Sequence, residues 1–551
     1  MQKLKILMCS EASYLSSGFA IYAKELLTRL HQTQKYEIAE FASYGVVNDP
    51  RDTAILWKYY ANAVEENDPR HSEYMSRPDN QFGRWRFEKV LLDFKPDVVI
   101  DVRDYWMSYY QALSPLRKYF HWILMPTVDS YPQQQSWLDT YLSADAIFTY
   151  SDWGAEVLKE QTSGKINYVT TAAPGVDLST FKPIDENNRR SLRADMGLHP
   201  EAIIIGSVMR NQKRKLIPDL LFAFRNTLDQ LYLTNPTKAD KLYLYLHTSY
   251  PDSGWDLPEL LKSTSLSNRV YFSYVCNKCN TIYSKTFCGP MSGCKNCDSI
   301  SCRVPSVTNG VTSKQLAQIY NLFDIYVQYS ICEGAGMPQI EAGASGLPIV
   351  TVDYSAMVDI INKLKAQKIR IQTKFKELET KAFRVYPNNQ DLTKHLLRLI
   401  LLPQDELAQI KTETRLLTEQ HYNWDGVAKK WENYLDSIST RSDWSVPPKY
   451  YSKFRPHENN MPNIDMLTDI CNNHLGDYSL LSSMFFLDML KDLDYGFVQD
   501  GIKVSAYKKQ DMESTIDTLI HNNNSSEKVR YSNTSFNDDY IEYAKIKKSL
   551  S

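Results

Sequence analysis

The stretch CEGAGMPQIEAGASGLPIV, residues 332–350, decides how this chain is read. Glu333 and Glu341 stand seven residues apart, and a Gly-rich turn lies between them. Pro338 occupies the place of a helix-starting residue. Such a turn leaves the backbone N–H groups of Ala335, Gly336 and Met337 free at a helix N-terminus, which is an anion site. Glu341 then falls about one turn into the helix, where its carboxylate can accept from ribose hydroxyls. Glu333 ends the preceding strand. An ordinary strand–turn–helix with two solvated glutamates fits the same spacing, because Gly-rich turns are common.

Working outward, short apolar runs alternate with amphipathic helical stretches. Strands are predicted at Leu4–Met8, Asp97–Val102, Trp122–Met125 and Ala146–Tyr150. After a turn-rich link over Ala172–Asn188 the rhythm restarts, with strands at Ala202–Val208, Leu242–His247, Val270–Val275, Asp324–Tyr329 and Pro348–Val352. Helices are predicted at Phe19–Leu30, Ile217–Leu231, Ser313–Leu322 and Met337–Ala344. This is the βαβ rhythm of parallel sheets, given twice. Ligands of such sheets bind at the carboxyl ends of strands. By that rule Asp101, Arg103 and Asp104 face a cleft. Past Ile438 the pattern weakens: a helix is expected within Asn473–Leu493, and the polar stretch His521–Ser535 reads as mobile.

The chain's 551 residues exceed one ordinary core. Its 43% apolar and 23% charged residues place it among globular proteins. A formal net charge of −2 argues against a broadly basic nucleic-acid coat, though not against a local basic patch. No apolar run reaches membrane-spanning length. The start, MQKLKILMCSEAS, reads as a first strand rather than a secretory signal. Six of the nine cysteines cluster within 276–302, which suits a reducing compartment, and a cytoplasmic location is expected.

Within that cluster Cys276 and Cys279 form one Cys-x-x-Cys, and Cys294 and Cys297 form another after a gap of fourteen residues. The spacing predicts a zinc ribbon with a closed tetrahedral site, structural rather than catalytic. Disulfide or redox chemistry is the plainer alternative. Cys288 and Cys302 are surplus and could each replace a ligand. The site follows the strand Val270–Val275, so it grows from the ligand-bearing edge.

Glu-x7-Glu followed by Gly-Leu-Pro-Ile-Val resembles the donor-site signature of retaining GT-B glycosyltransferases of family 4. Other pieces fall in the same order. Gly175-Val176-Asp177 with Phe181 resembles the family's interdomain link. IIGSVMRNQKRK, Ile204–Lys215, resembles its pyrophosphate-binding segment. LAQIYNLFDIYVQYS, Leu316–Ser330, resembles the elements before the signature. HYNWDGVAKKWENYL, His421–Leu435, resembles the final helix that crosses back. The resemblance implies an α/β GT-B fold: two Rossmann-like domains facing a cleft, over 1–183 and 184–420. A zinc-ribbon insertion (276–302) interrupts the second, a returning helix occupies 421–438, and a C-terminal extension occupies 439–551.

The resemblance also implies roles. Arg210 and Lys215 clamp the donor pyrophosphate, with Arg214 as a substitute. Glu333 contacts the donor sugar and Glu341 the ribose. The donor is a nucleotide-sugar, a UDP-sugar first, and no catalytic divalent metal is needed. A solvated basic loop is the plain alternative for 210–215. The family's first Gly-rich loop is reduced here to SEASYLSSGFA, in which Gly18 can still let N–H groups approach a phosphate. Where relatives carry a histidine, this chain has PTVDSYP. Asp129 stands nearest that place, as an acceptor- or sugar-binding group or as a turn cap.

Two features remain. INKLKAQKIRIQTKFK, Ile361–Lys376, carries six Lys/Arg and no acid, a solvated helix face or a phosphate-binding patch. Together with HTSYPDSGWDLPELL, the cysteines, VDYSAM and KELETKAFRVYPN it resembles a phage and bacterial subgroup of these transferases. That raises DNA with a hydroxymethylated pyrimidine as an acceptor, in a host cytoplasm. A glycan, lipid or small molecule is the alternative acceptor. A non-catalytic zinc-ribbon binding protein is a third reading.

Overall fold

The computed structural model describes residues 3–114, 116–306, 310–439 and 444. The helix expected within Asn473–Leu493, the stretch His521–Ser535 and nearly all of the extension 439–551 lie outside the described residues.

Apolar runs flanked by turns become two sheets, the first all parallel and the second parallel except where the strands within 282–303 pair antiparallel. The first has seven strands: β1 (Leu4–Glu11), β2 (Tyr36–Val46), β3 (Lys58–Ala63), β4 (Val98–Asp101), β5 (His121–Leu124), β6 (Ala146–Thr149) and β7 (Tyr168–Thr171). Their order is β3-β2-β1-β4-β5-β6-β7. The order reverses between β1 and β4, so the loops leaving those strands flank the crevice in which such sheets bind ligands.

The second sheet is built on β8 (Ile203–Val208), β9 (Leu242–His247) and β10 (Val270–Cys276). It also takes in β11 (Ile282–Thr286), β12 (Met291–Ser292), β13 (Cys302–Arg303), β14 (Ile325–Gln328), β15 (Ile349–Val352) and β16 (Gln367–Ile369). The path runs β12-β13-β10-β9-β8-β14-β15-β16, with β11 paired to β10. Its reversal lies between β8 and β14. The basic loop 210–215 leaves β8, and the turn before Met337 leaves β14. A separate antiparallel hairpin joins β17 (Ile371–Lys376) to β18 (Phe383–Pro387).

The central parallel strands of each sheet are buried and mostly apolar, as strands covered on both faces must be. The helix Gly18–Gln32 is N-capped by Ser17, whose side chain accepts from Ala20 N–H. It packs with the helix Trp424–Leu435 over the first sheet. The latter helix arrives from the second half: Val176 N–H donates to Tyr422 O at 2.9 Å in the link. Trp431 is fully buried, stacks on Phe148 at 3.9 Å and donates its indole N–H to Tyr22 Oη. Tyr22 in turn donates to Ala172 O at the end of the first half.

Two expectations differ. Asp101 and Arg103 do not face a cleft: both are fully buried and paired with each other. Arg103 also donates to Ser43 Oγ and Phe82 O, and Asp101 accepts from Gln111. A buried charge pair satisfied on all sides holds β2 and β4 to the elements behind them. The basic run Ile361–Lys376 is not one helix face. Only the helix Met357–Leu364 overlaps it, and β16 and β17 follow.

Trp431→Ala removes a buried aromatic that links the end of the chain to the first sheet. It is expected to cost about 3–5 kcal/mol, measured by denaturant unfolding, with Tyr22 Oη losing its indole donor and keeping its bond to Ala172 O.

Candidate active site

The two strand-end loops of the second sheet are zipped together. Leu216 N–H donates to Tyr329 O and Ile331 N–H donates to Arg214 O. This brings Lys215 beside Glu333, although 118 residues separate them. The Lys215 ammonium and Glu333 carboxylate are in direct contact, and both are buried. Arg214 Nη1 reaches the other carboxylate oxygen at 3.1 Å. Gln328 Nε2 (2.7 Å) and Ser330 Oγ (2.8 Å) also donate to Glu333. Its backbone N–H donates to Ser355 Oγ at 2.8 Å. Gln328, in β14, and Ser330 and Ser355, just past the ends of β14 and β15, have no spacing signal in the sequence.

Burial alone would raise the Glu333 carboxyl. Lys215 and Arg214 outweigh it and hold it down at about 2. Burial lowers the Lys215 ammonium to about 8 against the pull of Glu333, so both members of the pair are still charged at neutral pH. Arg214 keeps 42% of its side chain exposed, so its guanidinium can turn toward a ligand without unpacking. Arg210 lies elsewhere: it forks onto Asp252 at 2.9 and 3.1 Å, in the loop after β9. That loop supports the basic segment, since Trp255 donates to Lys215 O at 3.0 Å and Asn211 exchanges hydrogen bonds with the Trp255 backbone.

The Gly-rich turn ends on Gly336 in the left-handed region, at φ 79°. A Cβ there would lie 2.4 Å from Gln339 Nε2. Gln339 is fully buried, and neither its amide nitrogen nor its oxygen has a partner. An orphaned carboxamide over a left-handed glycine, in the first turn of the helix Met337–Ala344, fits a polar ligand at the amides of Ala335, Gly336 and Met337. Glu341, one turn on, accepts from Tyr320 Oη at 2.7 Å, and burial raises its carboxyl to about 7.

The loops of the first sheet close over this turn. A Cβ on Gly18 would lie 3.6 Å from Met337 Sδ. One on Gly334 would lie 2.3 Å from Thr127 Cγ2, so position 334 must be glycine for this approach. Glu40, buried in β2, accepts from Ser13 N–H (2.7 Å), Ser13 Oγ (2.8 Å) and Trp57 Nε1 (2.8 Å), and so fixes the loop that carries Gly18. Asp129 reaches Cys332, next to Glu333, with Cys332 Sγ donating at 3.3 Å. Asp104 also lies in this field. Burial raises its carboxyl to about 7, with Thr127 hydrogen-bonded to it and Asp129 and Arg214 nearby.

The basic run is largely neutralised. Lys363 pairs with Asp152 and Asp359, Lys365 with Glu413, Lys368 with Asp353 and Arg370 with Asp391. Lys374, Lys376 and, farther along the hairpin, Lys381 are exposed and make no ion pair among the described residues.

The sulfurs of Cys276, Cys279, Cys294 and Cys297 lie within 4.8 Å of one another. Two of the separations are 3.6 Å, close to the roughly 3.8 Å edge of a tetrahedron with metal–sulfur bonds of about 2.3 Å. Each pair sits in the same turn. Asn280 N–H donates to Cys276 O and Asp298 N–H to Cys294 O, and Asn280 and Asp298 both take positive φ. Asn and Asp tolerate that conformation. The donor set and spacing fit a thiophilic cation. Cys288 is exposed and outside the set, and Cys302 sits behind it opposite Cys276 in the β10–β13 ladder.

Residues 306–416 match the family model described as glycosyl transferases group 1. A D-inositol 3-phosphate glycosyltransferase of Catenulispora acidiphila is 28% identical over 219 residues, 40% of this chain and 42% of that protein. The match thus spans about two fifths of the length of the curated relatives. Among solved structures, a sucrose-phosphate synthase from Thermosynechococcus elongatus superposes with a TM-score of 0.55 at 15% identity, covering 79% of this chain and 98% of that one. Anabaena HepE, solved with UDP and glucose, gives 0.53 at 12% identity, covering 79% and 100%. These likenesses show a GT-B-like α/β fold. No helix of the described residues is long and apolar enough to cross a membrane.

The Glu333 cluster makes a testable acid limb. Its carboxyl is held below the ordinary 4.5, so its stabilisation is complete above that value and is lost as pH falls from there through about 2. Glu333→Gln is expected to flatten this part of the stability–pH curve, followed by thermal melts between the two limits.

Proposed function

We propose that the protein is a retaining glycosyltransferase that moves a sugar from a nucleotide-diphosphate sugar, a UDP-sugar first, to an acceptor hydroxyl. The observation that carries this reading is the Lys215–Arg214–Glu333 cluster beside the helix N-terminus with the orphaned Gln339. The group 1 match over 306–416 and the fold shared with HepE support it. In this reading the diphosphate takes the amides of Ala335, Gly336 and Met337, and Lys215 and Arg214 turn to it from Glu333. The Glu333 carboxylate then accepts from donor sugar hydroxyls, and Glu341 from the ribose. Gly18 brings the first half's loop to the phosphates.

In the transfer step the bond from the anomeric carbon to the diphosphate oxygen breaks, and its electron pair leaves with the diphosphate. The acceptor oxygen bonds the same carbon from the same face. The acceptor's proton passes to the leaving phosphate oxygen, so sugar-acceptor and nucleoside diphosphate are the products. Fixed cations at the leaving group serve this step best, because they stabilise charge that develops only as the bond breaks. No divalent metal is assigned to it. The two glutamates are not read as a glycosidase pair, since seven residues of strand end, turn and helix between them do not set them on either side of one glycosidic bond.

A screen of nucleotide-sugars, scored by nucleoside diphosphate release with glycans and with hydroxymethylated DNA as acceptors, tests the reading. Absence of turnover with every donor, together with no calorimetric binding of UDP, would overturn it. Within the basic run and its hairpin the DNA arm rests on Lys374, Lys376 and Lys381, because the run's other cations are paired among the described residues, and beside them on the ribbon. Arg214→Ala and Lys215→Ala are each expected to lower turnover about 100-fold or more. Arg210→Ala should cost less, because its guanidinium lies on Asp252 in the loop after β9 and outside the Glu333 cluster; equal losses in all three would return Arg210 to the clamp.

Zinc is the metal assigned to Cys276, Cys279, Cys294 and Cys297, as a structural ion that would hold the excursion from β10. Metal analysis should find about one zinc per chain. EDTA should lower the melting temperature over minutes without acting as an immediate inhibitor of turnover.

A further inference from the structure

The hairpin of β17 and β18 leaves the second sheet and reaches the first half. Phe383 N–H donates to Tyr131 O at 2.8 Å, and Phe383 O accepts from Tyr354 Oη on the second half. The next residue, Arg384, points inward and is 6% exposed. Its Nη1 lies 2.8 Å from Asp129 Oδ1 and 3.0 Å from Cys332 Sγ. Its Nε and Nη2 both meet Oε2 of Glu377 in the same hairpin, each at 3.0 Å. Glu377 is itself held by Thr380 Oγ1. One guanidinium thus touches the first half's carboxylate and the residue that precedes Glu333.

We propose that Arg384 is a positioning residue of the transfer site, holding Asp129 of the first half against Cys332–Glu333 of the second so that the acceptor hydroxyl and the donor sugar meet at a fixed distance. The proposal rests on the glycosyl-transfer reading. Asp129 Oδ1 is taken up by Arg384, while among the described residues Oδ2 receives the thiol of Cys332, a weak donor that an acceptor hydroxyl can displace. Without the guanidinium the two half-sites lose their one direct charged contact at this place, and Asp129 is free to turn away. The planar fork matters as well as the charge. It lets Glu377 set the plane in which Nη1 meets Asp129, which an ammonium does not reproduce.

Three measurements on the full chain test this. UDP affinity by calorimetry reads the donor half alone, and Arg384→Gln should leave it within about twofold. Hydrogen exchange at the Phe383 amide reads the contact between the halves, and the same variant should exchange faster. Turnover with the donor and acceptor that the screen returns should fall about 100-fold, the cost of a misplacement on the order of 1 Å. The loss should fall on kcat rather than on the donor KM. Arg384→Lys should recover part of the turnover, and Glu377→Gln, which keeps the charge on Asp129 but frees the fork, should fall between the two. If Arg384→Gln melts early, Asp129→Asn replaces it and should show the same split. Exchange at Phe383 and turnover both within about threefold of wild type in Arg384→Gln would overturn the proposal. Failure of wild-type UDP binding would instead overturn the donor site and leave the exchange result to decide the contact.

Discussion

The contact between Lys215 and Glu333 is the constraint on which the site depends. It joins the loop after β8 to the loop after β14, across the point where the strand order of the second sheet reverses. The carboxylate accepts from four side chains, two of them cationic, and a buried charge satisfied in this way has one place to be. Everything that approaches the turn is referred to it: the helix N-terminus at Met337, Thr127 against Gly334, and Asp129 against Cys332. Under the glycosyl-transfer proposal, the cluster holds both kinds of group that a diphosphate sugar would use. Its cations are paired with the Glu333 carboxylate, so that in this proposal buried Lys215 would exchange one anionic partner for another.

Periodicity made the interior of both sheets legible. Leu242–His247, Ser313–Leu322 and Met337–Ala344 were placed to the residue, because apolar alternation or a 3.6-residue stripe is bounded there by turn residues. Strands β2 and β3 were not read. In β2, Glu37 and Glu40 break the apolar run, yet Glu40 is buried and satisfied by Ser13 and Trp57. The hairpin of β17 and β18 escaped for a related reason. Its first strand, IQTKFK, is mostly solvent-facing, and a two-stranded ribbon buries too little to leave a pattern.

The residues of the candidate site were legible as types and less so as partners. Lys215, Arg214 and Glu333 could be named from the sequence, and only the topology shows them touching. Arg210 carries the same charge one strand-end away, but Asp252 claims it from a loop that sequence spacing does not connect to it. Arg384 stood within a stretch noticed only for its resemblance. A lone arginine in a strand becomes informative once its neighbours across 255 and 52 residues, Asp129 and Cys332, are known.

The cysteine module has a consequence beyond its own loop. β10 pairs with β9 on one side, and β11 and β13 cover its remaining backbone groups. Without them the last long strand of a nine-stranded sheet would present an open row of N–H and C=O groups, which is a template for pairing with another copy of the chain. The turns that gather the four sulfurs are also the turns that fold β11 and β13 back. Whatever holds those sulfurs together therefore helps to keep the protein soluble, and its loss would show first as self-association along that edge.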